Sequence, residues 1–187
     1  CKYVMKQLKF FSLDFEDLIK LTIYILKKFD EARLFWQDKL NYIMIDEAQD
    51  CNVDEWRIVK ILAAFYQNLF IVGDPDQCIY EWRGAKPEYY VSFEADKLII
   101  LDENYRSTPN ILNVANSIIV HNKMRIKKNL TTNLIEGKIV LHYHGKDEKD
   151  ESDWIAKQIK NLIDAGATPK DFAILYRASY LSRSIEQ

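Results

Sequence analysis

The sequence predicts an α/β fold in which parallel strands are flanked by helices. Three short apolar runs support this prediction, because each lacks polar alternation and therefore suits a strand buried on both faces of a parallel sheet. These runs are Tyr42–Ile45, Leu69–Val72 and Lys97–Leu101. A helical segment between the first two predicts a right-handed parallel crossover. Open α/β sheets bind their ligands at the carboxyl ends of the strands, so the polar segments that follow these runs are the first candidates for function.

The composition is that of an ordered globular chain without a global charge signature. Hydrophobic residues make up 48% of the 187 residues, there are only 5 Gly and 4 Pro, and the formal net charge is −2. Any nucleic-acid contact must therefore come from a local cleft. Three cysteines without metal-like spacing predict a reducing, cytoplasmic environment. No apolar run approaches the ~20 residues that span a bilayer, so we expect no membrane association. The chain begins at Cys1 rather than Met, which predicts a fragment of a longer protein.

Capping residues predict where the helices begin. Ser12 can cap a helix that reaches Phe29. Asn52 and Glu55 form a capping-box pair that opens a helix through about residue 66. Thr108 is a candidate cap for a helix that carries Pro109 in its first turn. Further predicted elements are a helix at 34–40, a strand at 138–144, a helix from about 155 to its end near Gly166, a strand at 172–176 and a final helix.

Two adjacent carboxylates, Asp46 and Glu47, follow the first predicted strand directly. At that edge of a sheet, one carboxylate can bind Mg²⁺ while the other orients and deprotonates the water that attacks a nucleoside triphosphate. Taken alone, four apolar residues and an Asp-Glu pair also fit a core strand followed by a solvated acidic turn. The polar segments further along the chain favour the first interpretation.

The segment 73–85 follows the second predicted strand and reads Gly-Asp-Pro-Asp-Gln-Cys-Ile-Tyr-Glu-Trp-Arg-Gly-Ala. The neutral amide of Gln77 can donate to a γ-phosphate oxygen and accept from an attacking water. Tyr80, Trp82 and Arg83 form a candidate stacking platform for unpaired bases. The alternative is that both rings pack beneath the next helix. The two interpretations are balanced for Tyr80, whereas stacking is favoured for Trp82.

Residues 104–107, Asn-Tyr-Arg-Ser, follow the third predicted strand. An arginine at the start of a second domain can reach a triphosphate across a cleft, and positive charge on a transferring phosphoryl group is worth ~10³–10⁵ in rate. The alternative is that Arg106 pairs with Glu103 or Asp102 at the start of a helix. The basic run 121–128 is typical of a solvated face, and contact with a phosphate backbone is the second interpretation.

Together these segments resemble the UvrD/PcrA/Rep-like family of superfamily 1 DNA helicases. Residues 46–50 are similar to motif II of that family, residues 73–85 match motif III almost residue for residue, and residues 101–108 are similar to motif IV. The resemblance implies a RecA-like P-loop NTPase architecture with parts of two motor domains. Residues 1–101 would form the C-terminal part of the first motor domain, and residues 102–187 the N-terminal part of the second.

The resemblance also implies a role for each residue of the nucleotide site, with ATP and Mg²⁺ as the cofactors. Asp46 would hold Mg²⁺ and Glu47 would activate water. Gln77 would sense the γ-phosphate, Tyr105 would pack on the adenine, and Arg106 would act as the arginine finger.

For DNA, the resemblance implies that Trp82 stacks on a base and that Tyr80 and Arg83 contact the single strand. The implied function is ATP-driven movement on single-stranded DNA in the 3′ to 5′ direction, with unwinding of duplex DNA. Two alternatives remain: a subunit of a recombination helicase–nuclease, and a non-catalytic nucleotide- or single-strand-binding module. The pathway stays open among repair, replication restart and recombination.

The chain departs from the family pattern in what it lacks. It contains no Gly-x-x-x-x-Gly-Lys-[Ser/Thr], and the family's motifs V and VI are absent. Without a phosphate cradle, we expect the 187 residues alone to bind ATP poorly and not to hydrolyse it. A bare sheet edge is also expected to favour self-association.

Overall fold

The computed structural model describes residues 2–186, which contain helices and one small parallel sheet. The α-helices in this part of the chain are α1 (Lys2–Phe10), α2 (Phe15–Lys28), α3 (Asp30–Lys39), α4 (Val53–Ala63), α5 (Pro87–Val91), α6 (Pro109–Ile119), α7 (Glu148–Asp164) and α8 (Ser182–Glu186). The strands are β1 (Ile43–Ile45) and β2 (Leu69–Ile71). The chain divides into two compact units, one ending at Gly137 and the other beginning at Lys138.

The sheet consists of β1 and β2, which pair in parallel with Met44 opposite Phe70. Helix α4 connects them, so the predicted strand–helix–strand crossover is confirmed. The prediction that both faces of these strands are buried is wrong. The positions on either side of Met44 and Phe70 are half-buried, whereas Met44 itself is 78% exposed. One face of the sheet packs against the chain, and no element among residues 2–186 covers the other.

Three predicted strands do not form in the described part of the chain. Residues 97–101, 138–144 and 172–176 adopt no regular secondary structure. A strand needs a neighbour with which to exchange backbone hydrogen bonds, and an apolar or alternating pattern does not supply one. Pairing occurs instead just after the third apolar run. The Asn104 N–H donates to the Thr131 carbonyl at 2.7 Å, and the Thr131 N–H donates to the Asp102 carbonyl at 2.9 Å.

Helix α2 begins at Phe15, and its cap is Asp14 rather than the predicted Ser12. The Asp14 carboxylate accepts from the Asp17 N–H at 2.8 Å, and the Asp17 carboxylate accepts from the Asp14 N–H at 3.2 Å. This reciprocal pair satisfies two amide groups that the first turn of a helix leaves without partners. Ser12 was a plausible cap by residue type, but Asp14 lies next to the first helical residue.

Helix α4 begins where the sequence predicts. The Asn52 side-chain oxygen accepts from the N–H groups of Asp54 and Glu55, and the Glu55 carboxylate accepts from the Asn52 N–H at 2.8 Å. The helix ends at Ala63, three residues before the predicted end. Trp56 on α4 is only 2% exposed, and its ring stacks on that of Phe93 with the centroids 6.3 Å apart. This packing holds the segment after α5 against α4.

Helix α6 begins at its predicted cap, whereas α7 begins at Glu148, earlier than the predicted start near residue 155. Thr108 is the N-cap of α6 and Pro109 occupies its first turn. Helix α7 begins after Asp147, whose carboxylate accepts from the Asp150 N–H, and Gly166 adopts φ 105° just beyond the helix end. Glycine tolerates this left-handed conformation, which explains its place there. Among the described residues, no helix is both long and apolar enough to cross a membrane.

The capping box of α4 provides a test of how the helix start is stabilised. We expect Asn52→Ala to lower the free energy of unfolding by about 1 kcal/mol, because two backbone N–H groups lose their acceptor. Chemical denaturation of both proteins measures this difference. Asn113→Ala, in the exposed interior of α6, is the matched control and should change stability by less than about 0.5 kcal/mol. Equal effects of the two substitutions would show that the Asn52 cap contributes nothing.

Candidate functional site

The two predicted carboxylates lie immediately after β1, in a strained turn. Glu47 has φ 51° and ψ 42°, a left-handed conformation that costs a non-glycine residue about 1 kcal/mol or more. Hydrogen bonds on both sides hold it there: the Glu47 N–H donates to Asp46 Oδ1 at 2.9 Å, and the Ala48 N–H donates to the Val72 carbonyl at 3.0 Å. Both carboxylates are exposed. The turn therefore presents two acidic side chains at the carboxyl edge of the sheet.

Gln49 is the residue that joins this turn to the loop after β2. Its side chain is buried, with 1% exposure. The amide nitrogen donates to Glu47 Oε2 at 2.7 Å, and the amide oxygen accepts from the Asp74 N–H at 2.9 Å. Sequence reasoning did not select Gln49 as a site residue. The available signal was its position two residues after Glu47, inside the motif itself.

The loop after β2 is organised by the side chain of Asp74. Asp74 Oδ2 accepts from the Gln77 amide at 2.7 Å, and Oδ1 accepts from the Asp76 N–H at 3.1 Å. Lys128 forms an ion pair with the same carboxylate. Burial raises the pKa of Asp74, but the hydrogen bonds from Lys128 and Gln77 outweigh it and hold the pKa below its ordinary value. Gln77 is thus placed at the same sheet edge as Asp46 and Glu47.

A second ion pair ties this loop to the segment that follows α6. Arg125 lies 3.3 Å from the Asp76 carboxylate, and the two side chains are only 13% and 3% exposed. The Asn122 amide donates to the same carboxylate at 3.2 Å. The interpretation of residues 121–128 as a solvated or phosphate-contacting face is therefore wrong for Arg125 and Lys128. The charge run did not show that two carboxylates from another loop would neutralise them.

The predicted stacking platform is compact and exposed. A tight turn at 81–83 brings the Arg83 guanidinium carbon to 5.5 Å from the Tyr80 ring centroid and to 5.8 Å from that of Trp82. The two ring centroids are 6.5 Å apart. Trp82 is 77% exposed and Tyr80 is 37% exposed. Neither ring is buried beneath α5, so the packing alternative is wrong for Trp82 and at most partial for Tyr80.

Backbone contacts fix the end of this loop beside the start of α4. Ala85 is buried and forms an isolated antiparallel bridge with Asn52. The Lys86 N–H donates to the Cys51 carbonyl at 3.0 Å. Between these anchors and Asp74, the loop carries both Gln77 and the aromatic pair.

The segment with Tyr105 and Arg106 is a separate exposed turn. Asn104 Oδ1 accepts from the N–H groups of Arg106 at 2.9 Å and Ser107 at 2.7 Å. The Tyr105 hydroxyl donates to Glu103 at 2.7 Å, and this hydrogen bond raises the pKa of Tyr105. Among residues 2–186, the Arg106 side chain forms no ion pair, so the predicted alternative of pairing with Glu103 or Asp102 is not realised. No contact brings it to Asp46 or Gln77.

The donor set at the edge of β1 fits Mg²⁺. Mg²⁺ prefers carboxylate oxygens and is usually held by one or two of them together with water and phosphate oxygens. Asp46 offers an exposed carboxylate with one oxygen bound to the Glu47 N–H. Residues 2–186 contain no cluster of three or more His, Cys, Asp or Glu side chains placed to hold a metal ion.

These features define an α/β protein whose polar loops meet at the carboxyl edge of a parallel sheet. Comparison with known families makes the assignment more specific. Residues 1–97 match the UvrD/REP helicase N-terminal domain, and residues 99–187 match the UvrD-like helicase C-terminal domain. The chain belongs to the UvrD/REP helicase family, so the predicted resemblance is confirmed.

Individual relatives agree with this assignment. The chain is 44% identical over 190 residues to the ATP-dependent DNA helicase PcrA of Bacillus subtilis (strain 168), covering 99% of this chain and 26% of that protein. It is 42% identical over 180 residues to PcrA of Staphylococcus epidermidis (strain ATCC 35984), covering 94% and 25%. PcrA of Staphylococcus aureus (strain Mu50) is 41% identical, with the same coverage. The chain thus spans about a quarter of the length of the curated relatives it matches.

The ion pair between Asp74 and Lys128 makes stability depend on pH. We expect Lys128→Met to lower the free energy of unfolding by about 1–3 kcal/mol near neutral pH, because a largely buried carboxylate loses its cation. The pKa of Asp74 is lowered in the folded protein, so this contribution is present above the ordinary value of 3.8 and is lost as the pH falls through the folded-state value. Urea unfolding at a series of pH values measures both effects.

Lys127→Met is the matched control, because Lys127 is the exposed neighbour of Lys128. It should change stability by less than about 0.5 kcal/mol. A Lys128→Met penalty that stays constant below pH 3.8 would contradict the assignment to Asp74.

Proposed function

We propose that this chain is the central part of an ATP-dependent DNA helicase or translocase that moves along single-stranded DNA. The observation that most supports this proposal is the junction at the sheet edge. There the buried amide of Gln49 links the carboxylate of Glu47 to the loop that carries Gln77. Family membership and relatives named ATP-dependent DNA helicases agree with it. In the proposed architecture, parts of two RecA-like motor domains meet near residue 101.

In this proposal Glu47 acts as the general base for ATP hydrolysis. One of its carboxylate oxygens is engaged by Gln49, which leaves the other to accept a proton from the attacking water. Asp46 would hold Mg²⁺, which neutralises charge on the phosphates when it is bound. Arg106 would supply positive charge to the transferring phosphoryl group from the second motor domain, and Tyr105 would pack on the adenine. Both Tyr105 and Arg106 are exposed and therefore accessible to a nucleotide.

Gln77 provides a way to couple the nucleotide to DNA. Its amide nitrogen donates one hydrogen to Asp74, and in this proposal Gln77 exchanges that hydrogen bond for one to a γ-phosphate oxygen. The same loop carries Tyr80, Trp82 and Arg83, whose rings and guanidinium are grouped and exposed. Stacking on aromatic rings is tolerant of base identity, as a motor that crosses any sequence requires. Loss of the γ-phosphate would therefore change the position of the base-stacking residues, because they share one anchored loop with Gln77.

The role of Glu47 is tested by Glu47→Gln in the complete gene product. We expect ATP turnover stimulated by single-stranded DNA to fall by ~10²–10⁴, because the amide cannot take up the proton of the attacking water. ATP affinity, measured with a fluorescent nucleotide analogue, should remain within about threefold, since the shape of the side chain is kept. Glu94→Gln removes another exposed carboxylate, outside the site, and should leave turnover unchanged. Normal turnover in Glu47→Gln would favour the alternative interpretation, in which Asp46 and Glu47 form only a solvated acidic turn.

The stacking platform is tested by Trp82→Ala. One base stacked on an aromatic ring is worth ~1–3 kcal/mol, so affinity for a single-stranded oligonucleotide should fall about 5- to 150-fold. Fluorescence anisotropy measures the affinity at a fixed salt concentration. Trp36→Ala is the control, because Trp36 is also exposed and also lies near a cation, Lys39, but on α3. An equal loss of oligonucleotide affinity in both variants would argue against stacking at Trp82. So would a loss of affinity that parallels a loss of protein stability.

A further inference from the structure

We propose that Gln49 is a positioning residue for ATP hydrolysis, which sets the orientation of Glu47 according to the position of the loop after β2. This inference rests on the proposed function of Glu47 as the base. Three independent observations carry it: the two hydrogen bonds of the Gln49 side chain, the space reserved for its amide by Gly73, and the contacts that Asp74 makes.

Only a primary amide satisfies both partners of the Gln49 side chain. On one side lies the carboxylate of Glu47, which needs a donor, and on the other lies the N–H of Asp74, which needs an acceptor. Glutamate would supply acceptors to both, and methionine would supply no strong donor or acceptor to either. Because Gln49 is 1% exposed, water cannot readily replace a lost partner. The chemistry of the position therefore requires glutamine in particular, rather than polarity in general.

The space around the amide is shaped by Gly73. A Cβ atom at this position would lie 2.5 Å from Gln49 Oε1 and 3.2 Å from the Ala48 nitrogen. Gly73 does not have a positive φ, so its backbone does not itself demand glycine. The Tyr90 hydroxyl donates to the Gly73 carbonyl at 2.9 Å and holds this part of the loop in place. Glycine at 73 is thus explained by the close approach of Gln49.

The contacts of Asp74 connect this amide to the nucleotide sensor. The Asp74 backbone N–H binds Gln49, while its carboxylate binds Gln77 and Lys128. If Gln77 turns towards a γ-phosphate, Asp74 loses one of its side-chain partners, and the set of contacts that positions its backbone N–H changes. Because Gln49 has its other hydrogen bond on Glu47, such a change alters the orientation of the base. Gln49 thereby makes the orientation of the Glu47 carboxylate depend on whether the triphosphate is bound.

The test is a double-mutant cycle on ATP hydrolysis by the complete gene product with saturating single-stranded DNA. Gln49→Glu keeps the size of the side chain and an acceptor for Asp74 but places a second carboxylate against Glu47. We expect kcat to fall about 10- to 100-fold with KM within about threefold, because a misplaced base impairs the chemical step more than binding. In a Glu47→Gln background, the same substitution should change kcat by less than about twofold, because Gln49 acts through Glu47.

Two further variants distinguish a loss of catalysis from a loss of protein stability. Gly73→Ala displaces the Gln49 amide without altering its chemistry and should reproduce the fall in kcat. Gln37 on α3 offers the matched control, because it is also a buried glutamine. Its amide donates to the Ile61 carbonyl at 2.6 Å. Gln37→Glu should lower the midpoint of thermal unfolding and leave kcat of the folded enzyme unchanged.

The possible outcomes separate the two proposals. Wild-type kcat in Gln49→Glu, or an equal loss with and without Glu47→Gln, would overturn the inference while the base assignment survives. A loss of kcat in Gln37→Glu as large as that in Gln49→Glu would also overturn it, because the effect would then follow stability. Near-normal turnover in Glu47→Gln alone would overturn the proposed function and this inference together.

Discussion

The candidate site depends on one buried amide. Parallel pairing of β1 and β2 brings two loops to the same sheet edge, but it does not fix how their side chains face each other. The Gln49 side chain does so by donating to Glu47 and accepting from Asp74. Buried polar groups without partners are costly, so an arrangement in which both ends of an amide are satisfied is well defined. The strained backbone of Glu47 is tolerated because this network surrounds it.

On the other side of the loop, buried charged groups have partners too, in the form of ion pairs. Asp74 and Asp76 lie two residues apart and are largely buried, which would be unfavourable if both carboxylates lacked cations. Lys128 and Arg125 supply those cations from the segment after α6. The loop that carries Gln77 is therefore held between β1 on one side and the α6 segment on the other.

The residues proposed to contact ligands remain outside this buried network. Glu47, Gln77, Trp82 and Arg106 are all exposed, while Gln49, Asp76 and Arg125, which support the loops, are buried or half-buried. Functional side chains are commonly carried on loops that a rigid scaffold positions. This separation of exposed and buried residues has a physical cause. A supporting hydrogen bond is strongest away from water, whereas a group that must reach a nucleotide or a base has to remain accessible.

The sequence by itself determined the local features and the family. The capping box at Asn52 depends on neighbouring residues and is readable from their spacing. The parallel crossover was predicted from the order of apolar and helical segments, without specifying which residues pair. Tertiary structure decided whether apolar runs became strands: residues 97–101 have the composition but no neighbouring strand. It also decided which charges are neutralised, because the partners of Lys128 and Arg125 lie about fifty residues earlier in the chain. The role of Gln49 likewise depends on a contact with Asp74, 25 residues away. Spacing predicts interactions between neighbours, whereas these contacts exist only once the chain has folded.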